Sequence, residues 1–268
     1  MLKKQDATGA LSADKREIDA LLKANSVDAE SFVYGLVPST NLLAEEYAKA
    51  NPGKNALFVA NEQSAGSGRL GRSFFSPGGK GLYMTLLFHP EKAKADGVWI
   101  TAVAAVAVRR AIMRLSPIDP RIKWVNDLYA DGKKLCGILA KASLDAKGEP
   151  NYILVGIGIN LYKGAFPDEI KEIATSIETA GGGRVDRNTL AAEITKEFFA
   201  ALDQRQNDLI EEYKRASLVL GKKIKTVTAT DSYYATATDI TDSGELVLIK
   251  EDGKRVIFST GEVSIRDF

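Results

Sequence analysis

Hydrophobic positions in this chain switch between a helical and an alternating period, and each switch marks an element. Ile18, Leu21 and Leu22 share one helical face, which predicts a short amphipathic helix over Ser12 to Asn25. Phe32 to Val37 reads as a strand ended by Pro38, and Ser39 is placed to cap a helix over Thr40 to Ala50 that Asn51-Pro52-Gly53 stops. Strands follow at Ala56 to Asn61 and Leu82 to His89. Val98 to Leu115 is rich in alanine and valine on all sides, the pattern of a buried helix. Asp131-Gly132 predicts a hairpin turn between Leu128-Tyr129 and Leu135 to Ala142. Lys147 to Pro150 is a second turn, into the apolar strand Tyr152 to Ile159. A helix-poor loop containing Gly181-Gly182-Gly183 leads to Asp186, the expected N-cap of a long helix with Leu190, Ile194, Phe198 and Leu202 on one face. After Gly221 the strands become short and alternating, with turns at Asp242-Ser243-Gly244 and Asp252-Gly253. The expected fold is α+β, a mixed sheet with flanking helices followed by a small β-barrel.

Composition narrows the function. Against 35 acidic residues stand 36 basic ones, so no global field draws the chain to nucleic acid or membrane. Anion recognition must come from local clusters. The single cysteine, Cys136, excludes an internal disulfide and suits a reducing compartment. No apolar core of signal-peptide length opens the chain, and the longest apolar run, Val98 to Val108, is far short of the ~20 residues that span a bilayer. A cytoplasmic protein with no membrane partner is expected. His89, the one histidine, ends a strand and reads as a surface residue. With one His and one Cys a zinc site is not expected; a metal here would be a hard cation such as Mg²⁺, held largely by substrate phosphates.

Three segments carry candidate chemistry. Gln63-Ser64-Ala65-Gly66-Ser67-Gly68-Arg69-Leu70-Gly71-Arg72 contains G-x-G-x-x-G after a strand, yet turn-forming residues follow where a dinucleotide site needs a helix. A kinase-type loop is excluded because H-R-D and D-F-G are absent. The glycines let backbone N–H groups approach an anion, and Arg69 and Arg72 add forked donors for phosphate or carboxylate. A solvated loop is the plainer alternative. Lys123-Trp124-Val125-Asn126-Asp127 lies between apolar segments, and a buried lysine needs an anion beside it; Asn126-Asp127 also suits a simple turn. Gly156-Ile157-Gly158-Ile159-Asn160 puts two glycines in a strand, for close approach of a ligand or for easy sheet packing.

Taken in order, Ser39-Thr40-Asn41, Gln-x-Ala-Gly-x-Gly-Arg-x-Gly-Arg, Lys-Trp-x-Asn-Asp, Lys-Leu-x-Gly-Ile-Leu and Gly-x-Gly-Ile-Asn resemble the biotin–protein ligases. Ser259 to Arg266 resembles the end of their C-terminal barrel, and the likeness runs from Val37 to Phe268. It implies a short helical extension at residues 1–36, a class II synthetase-like biotinyl/lipoyl ligase domain at 37–220 and an SH3-like barrel at 221–268. The extension is too short for the winged helix–turn–helix with which some members repress genes, so a ligase-only protein without DNA binding is expected. A homodimer is plausible by the same resemblance.

The resemblance further implies that biotin and ATP give biotinyl-5′-AMP and pyrophosphate, after which biotin passes to a lysine of a biotin carboxyl carrier domain. Ser39, Thr40, Asn41 and Gln63 would meet the ureido ring. Gly66, Ser67, Gly68 and Arg69 would close over the ligand, and Tyr83, Gly137, Gly156 and Gly158 would shape the walls. Lys123 would lie between carboxylate and α-phosphate as the catalytic cation, with Arg69. Arg72, Phe74, Asn126 and Asn160 would border the nucleotide, and Asp119 is a candidate Mg²⁺ ligand. A carboxylate is already nucleophilic, so this first step needs cations rather than a general base. Ser67 stands where most relatives have a basic residue, Phe74 where many have tryptophan, and Val125 where proline is frequent. Two alternatives stay open: a lipoate or octanoate ligase, and a catalytically weakened biotin or adenylate sensor.

Overall fold

The computed structural model describes residues 12–90, 97–148, 150–164, 166–228 and 231–265. Residues 1–11 of the expected extension, Glu149 of the second turn and Arg266 of the C-terminal motif lie outside them. Asp14 starts helix α1 (Lys15–Ala24) by accepting from the backbone N–H groups of Arg16 and Glu17. Strands β1 (Glu30–Val37) and β2 (Ala56–Gln63) run parallel, joined by the crossover helix α2 (Thr40–Ala50). β1 therefore enters the sheet at Glu30, two residues before the strand expected from Phe32 and within the extension expected at residues 1–36. Ser39 occupies the N-cap position of α2, but its side chain makes no capping bond. The N–H of Thr40 instead donates to Gln63 Oε1 at 2.9 Å.

Strand β3 (Gly81–Phe88) and helix α3 (Gly97–Leu115) follow. Then come β4 (Arg121–Lys123), β5 (Asp127–Ala130), β6 (Lys133–Leu144) and β7 (Pro150–Asn160). They complete a seven-stranded mixed sheet in the order β1-β2-β3-β7-β6-β5-β4. The β5–β6 turn is the expected Asp131-Gly132, with φ of 50° and 74°, the left-handed pair a two-residue hairpin requires. Asp186 caps α4 (Arg187–Leu202) by accepting from Thr189 N. Helix α5 (Gln206–Ala216), which the sequence reading lacked, buries Leu209, Ile210 and Tyr213.

Alternation along the strands sorts side chains onto two faces. Leu57, Val59, Leu82, Met84, Leu86, Val155 and Ile157 join α1, α3 and α4 in the main core. Phe58, Leu87, Tyr152 and Leu154 point to the other face, beneath Ala44 and Ala48 of α2. On that second face, continuing the same alternation, come Thr85 of β3, Gly156 and Gly158 of β7, and Gly137 of β6. Register sets Gly156 beside Thr85 and Leu139, and Gly158 beside Tyr83 and Gly137. The sheet thus presents a patch of small residues next to α2.

The remaining strands are β8 (Lys223–Val227), β9 (Ser232–Ile240), β10 (Leu246–Lys250), β11 (Arg255–Phe258) and β12 (Glu262–Ile265). They form an antiparallel sheet in the order β11-β10-β9-β8-β12. Trp124 ties it to the main sheet: its Nε1 donates to Gly244 O at 2.9 Å, and its ring centroid lies 5.4 Å from that of Phe258. Among the described residues no helix is long and apolar enough to cross a membrane.

Candidate active site

The small-residue patch floors a cavity of about 60 Å³, walled by Ser39, Thr40 and Asn41 at the start of α2 and by Gln63 at the end of β2. Ser67, Gly68, Arg69, Phe74, Asn126 and Lys134 close the other side. The glycines are required by contact. A Cβ on Gly156 would meet the Asn41 amide at 2.6 Å, and one on Gly158 would meet the Phe74 ring at 2.5 Å. Gln63 is fixed in orientation, because Oε1 accepts from Thr40 N and Nε2 donates to Ser76 Oγ at 3.1 Å.

The glycine–arginine segment is folded rather than open. Gly68 N donates to Arg72 O at 2.7 Å, Phe74 N to Gly66 O at 2.8 Å, and Ser67 bridges Ser73. A three-residue 3-10 turn at Arg69–Gly71 forms its tip. Gly66 is buried, and a Cβ there would strike Phe74 O at 2.5 Å. It lines the outer groove rather than the inner cavity.

A second cavity of about 290 Å³ adjoins the first and shares Gly68, Arg69, Phe74, Asn126 and Lys134 with it. Four cations line it, Arg69, Arg72, Lys123 and Lys134, against the carboxylates Asp127 and Glu262. Lys134 pairs with Asp127 at 2.8 Å, and Arg72 with Glu262 of β12 at 2.8 Å. Arg69 donates to Asn126 Oδ1 at 3.3 Å, while Asn126 Nδ2 is anchored on Ile138 O. Among the described residues the Lys123 ammonium meets Tyr129, 3.4 Å from its hydroxyl and 5.3 Å from its ring centroid. Burial pushes its ammonium below the ordinary lysine pKa, with Asp127 partly opposing. The same burial, reinforced by Asp127, pushes the Tyr129 phenol up to about 12. The four cations outnumber the two carboxylates, which suits the second cavity to an anion.

Not every expected residue arrives. Asp119, the expected metal ligand, pairs with Arg109 at 2.5 Å, is half exposed and lines neither cavity. Asn160 is also absent from both cavities: at the end of β7, its Nδ2 donates to Thr175 O and staples the following loop to the strand. Tyr83 stands behind the wall, its hydroxyl on Pro77 O and its ring edge-on to Phe74. Sequence reasoning missed Lys134, Asp127 and Glu262 as site residues, although each lies inside a motif it had singled out. It also missed Thr85, a buried hydroxyl bonded to Thr40 and Asn41; a lone threonine in an apolar strand gives no signal.

Residues 34–160 match the model of the biotin/lipoate A/B protein ligase family, and residues 219–266 that of the biotin protein ligase C-terminal domain. The bifunctional ligase/repressor BirA of Bacillus spizizenii is 31% identical over 253 residues, covering 91% of this chain and 76% of that relative. The chain belongs to the biotin protein ligases. The biotin–[acetyl-CoA-carboxylase] ligase of Mycobacterium tuberculosis is similar to this ligase at 29% identity, covering 93% of this chain and 94% of that one. Among solved structures, the Aquifex aeolicus biotin protein ligase in complex with biotin and ATP superposes with a TM-score of 0.76 at 26% identity, covering 88% and 98% of the two chains. In this ligase the two adjoining cavities thus differ in size and charge, the smaller headed by Ser39, Thr40, Asn41 and Gln63, the larger adding Arg72 and Lys123 to the shared Arg69 and Lys134.

Proposed function

We propose that this ligase joins the carboxylate of biotin to the α-phosphate of ATP where its two cavities meet, then delivers biotin to a lysine of a biotin carboxyl carrier domain. One observation carries this reading: the small glycine-floored cavity and the four-cation cavity share Gly68, Arg69, Phe74, Asn126 and Lys134, so two of the four cations stand where they meet. The first takes the ureido ring against Ser39, Thr40, Asn41 and Gln63, with the acyl chain along the glycines. At about 60 Å³ it is smaller than typical ligand pockets, and the Phe74 ring lies on Gly158 in the chain's path. Phe74 therefore swings aside as the acid enters and becomes a wall for the adenylate.

The carboxylate oxygen attacks the α-phosphorus, an acyl–phosphate bond forms and pyrophosphate leaves. Lys123, Arg69 and Arg72 relieve the repulsion between the two anions and stabilise charge on the phosphoryl oxygens. In the second step a neutral lysine amine attacks the acyl carbon, AMP leaves, and the nitrogen loses its proton. Among the described residues no group of three or more His, Cys, Asp or Glu side chains is placed to hold a metal, and both carboxylates of the cationic cavity are ion-paired. Magnesium fits here as a companion of the triphosphate, neutralising its charge. We assign the described residues up to Leu220 to the catalytic domain, the strands from Lys223 to a barrel that closes the nucleotide side through Glu262, and the whole to the cytoplasm.

The test is pyrophosphate release from Mg-ATP with biotin, lipoate or octanoate supplied separately. Release with biotin alone is expected. Release with lipoate or octanoate alone would move the assignment to that acid, and none with any acid would leave a binding protein.

A further inference from the structure

The hydroxyl of Thr85 lines neither cavity, yet it is bonded to two residues that do. Thr85 is fully buried, and its Oγ1 lies 2.8 Å from Thr40 Oγ1 and 2.8 Å from Asn41 Oδ1. A hydroxyl has one hydrogen to give, so the order of donors has to be worked out from the neighbours. A backbone N–H only donates, which makes the atom 2.9 Å from Thr40 N the oxygen of the Gln63 amide. Gln63 Nε2 then donates to Ser76 Oγ, and Ser76 gives its own hydrogen to Phe74 O at 2.9 Å. Two acceptors remain for the Thr40 hydroxyl: Gln63 Oε1 at 3.2 Å, already serving the Thr40 N–H, and Thr85 Oγ1 at 2.8 Å. Asn41 faces Thr85 with Oδ1, which cannot donate, so the single Thr85 hydrogen goes there and the Thr40 hydrogen fills the contact between the two hydroxyls.

The relay therefore runs from Thr40 to Thr85 to Asn41. It leaves lone pairs on Thr40 Oγ1 and both N–H groups of Asn41 Nδ2 for the cavity. The Asn41 amide lies flat against Gly156, where a Cβ would sit 2.6–3.0 Å from it, so packing fixes its plane. Shape alone does not distinguish its oxygen from its nitrogen; a Thr85 hydrogen directed at the amide favours the oxygen there.

We propose that Thr85 is a positioning residue that sets the head-group pocket to Asn41 as donor and Thr40 as acceptor, and so selects a cyclic urea. A urea ring offers a carbonyl acceptor beside N–H donors and satisfies both. An alkyl tail or a dithiolane ring lacks the N–H groups and leaves buried polar groups unpaired, the strongest form of rejection a pocket has. The assignment rests on biotin being the substrate.

The experiment compares wild type, Thr85→Val and Thr85→Ser in biotin-dependent pyrophosphate release, with octanoate as a competing inhibitor. Thr85→Val keeps the shape and removes the hydroxyl. It is expected to raise the KM for biotin about 10- to 100-fold, with kcat within about threefold because Thr85 touches no reacting atom. The inhibition constant of octanoate is expected to hold or tighten, and Thr85→Ser to bring the biotin KM back to within about threefold of wild type. Should Thr85→Val not accumulate as folded protein, Thr85→Ala carries the same expectation, read as biotin affinity by calorimetry. An unchanged biotin KM in a variant lacking the hydroxyl overturns the relay. So does an equal loss for octanoate, which would mean general collapse of the cavity, or a fall in kcat alone. A wild type that releases no pyrophosphate with biotin overturns the substrate reading together with the relay. A wild type that turns over beside an unchanged Thr85→Val overturns the relay alone.

Discussion

Adding one methyl group at Gly156 tests the floor of the biotin cavity most sharply. In Gly156→Ala the new Cβ would lie 2.6 Å from Asn41 Oδ1, 2.7 Å from Nδ2 and 3.0 Å from Cγ, where ordinary contact begins near 3.4 Å. The amide must retreat by about 0.8 Å to reach that ordinary contact. Gly156 and Thr85 are register partners on the same face of the sheet, so lifting Asn41 off one lifts it off the other. The 2.8 Å bond from Thr85 then stretches to the edge of hydrogen-bond range. A buried polar pair left unsatisfied costs about 1–3 kcal/mol, and overpacking adds a similar amount. The expected result is a biotin KM raised about 10- to 100-fold and a lower denaturation midpoint. Pyrophosphate release across a biotin titration and a urea melt read both. Gly35→Ala is the control, since nothing lies within 4 Å of its Cβ; stability within about 0.5 kcal/mol of wild type is expected there. A Gly156→Ala protein with wild-type KM and midpoint would refute the contact reasoning.

Three further outcomes follow from the cationic cavity and its surroundings. Burial lowers the pKa of Lys123 from 10.5, and its charged form is the one that meets phosphate, so kcat/KM for ATP should fall as pH rises through that lowered value. Lys123→Arg should abolish this alkaline limb, and Lys123→Met should cost about 100-fold or more at neutral pH. Between the lowered pKa and 10.5 the unfolded chain holds more protons, so stability should rise with pH across that window and lose this slope in Lys123→Met. Asp119→Ala should leave the Mg²⁺ dependence of pyrophosphate release unchanged, because Asp119 is engaged by Arg109 outside both cavities; a shifted magnesium requirement would restore it as a ligand. Ser67→Arg adds a cation to the loop wall and should slow adenylate release about threefold or more in stopped-flow measurements; unchanged rates would exclude Ser67 from ligand retention.

Legibility in the sequence followed the range of the interaction. Local signals read correctly: the Asp186 cap, the Asp131-Gly132 turn and the alanine- and valine-rich α3 each need only their neighbours. The amphipathic α5 was missed because its apolar stripe, Leu209, Ile210 and Tyr213, is short and set among charged residues that lower its mean hydropathy. For the site, the ordered motifs singled out Lys123, Arg69, Gln63, Gly68, Gly137, Gly156 and Gly158, which line a cavity, whereas Gly66 lies outside both. Asp119 and Asn160 lie outside both cavities, their side chains bonded to Arg109 and Thr175, partners that their motifs do not contain. Thr85 was invisible for the converse reason: its partners Thr40 and Asn41 lie more than 40 residues away in sequence.

The most direct test of the central claim is the mass of a biotin carboxyl carrier domain after incubation with this protein, biotin and Mg-ATP. A gain of one biotin at a single lysine, abolished in Lys123→Met, is the expected result. No gain, or acylation scattered over many lysines at the same level with Lys123→Met, would contradict an adenylate formed and held where the two cavities meet.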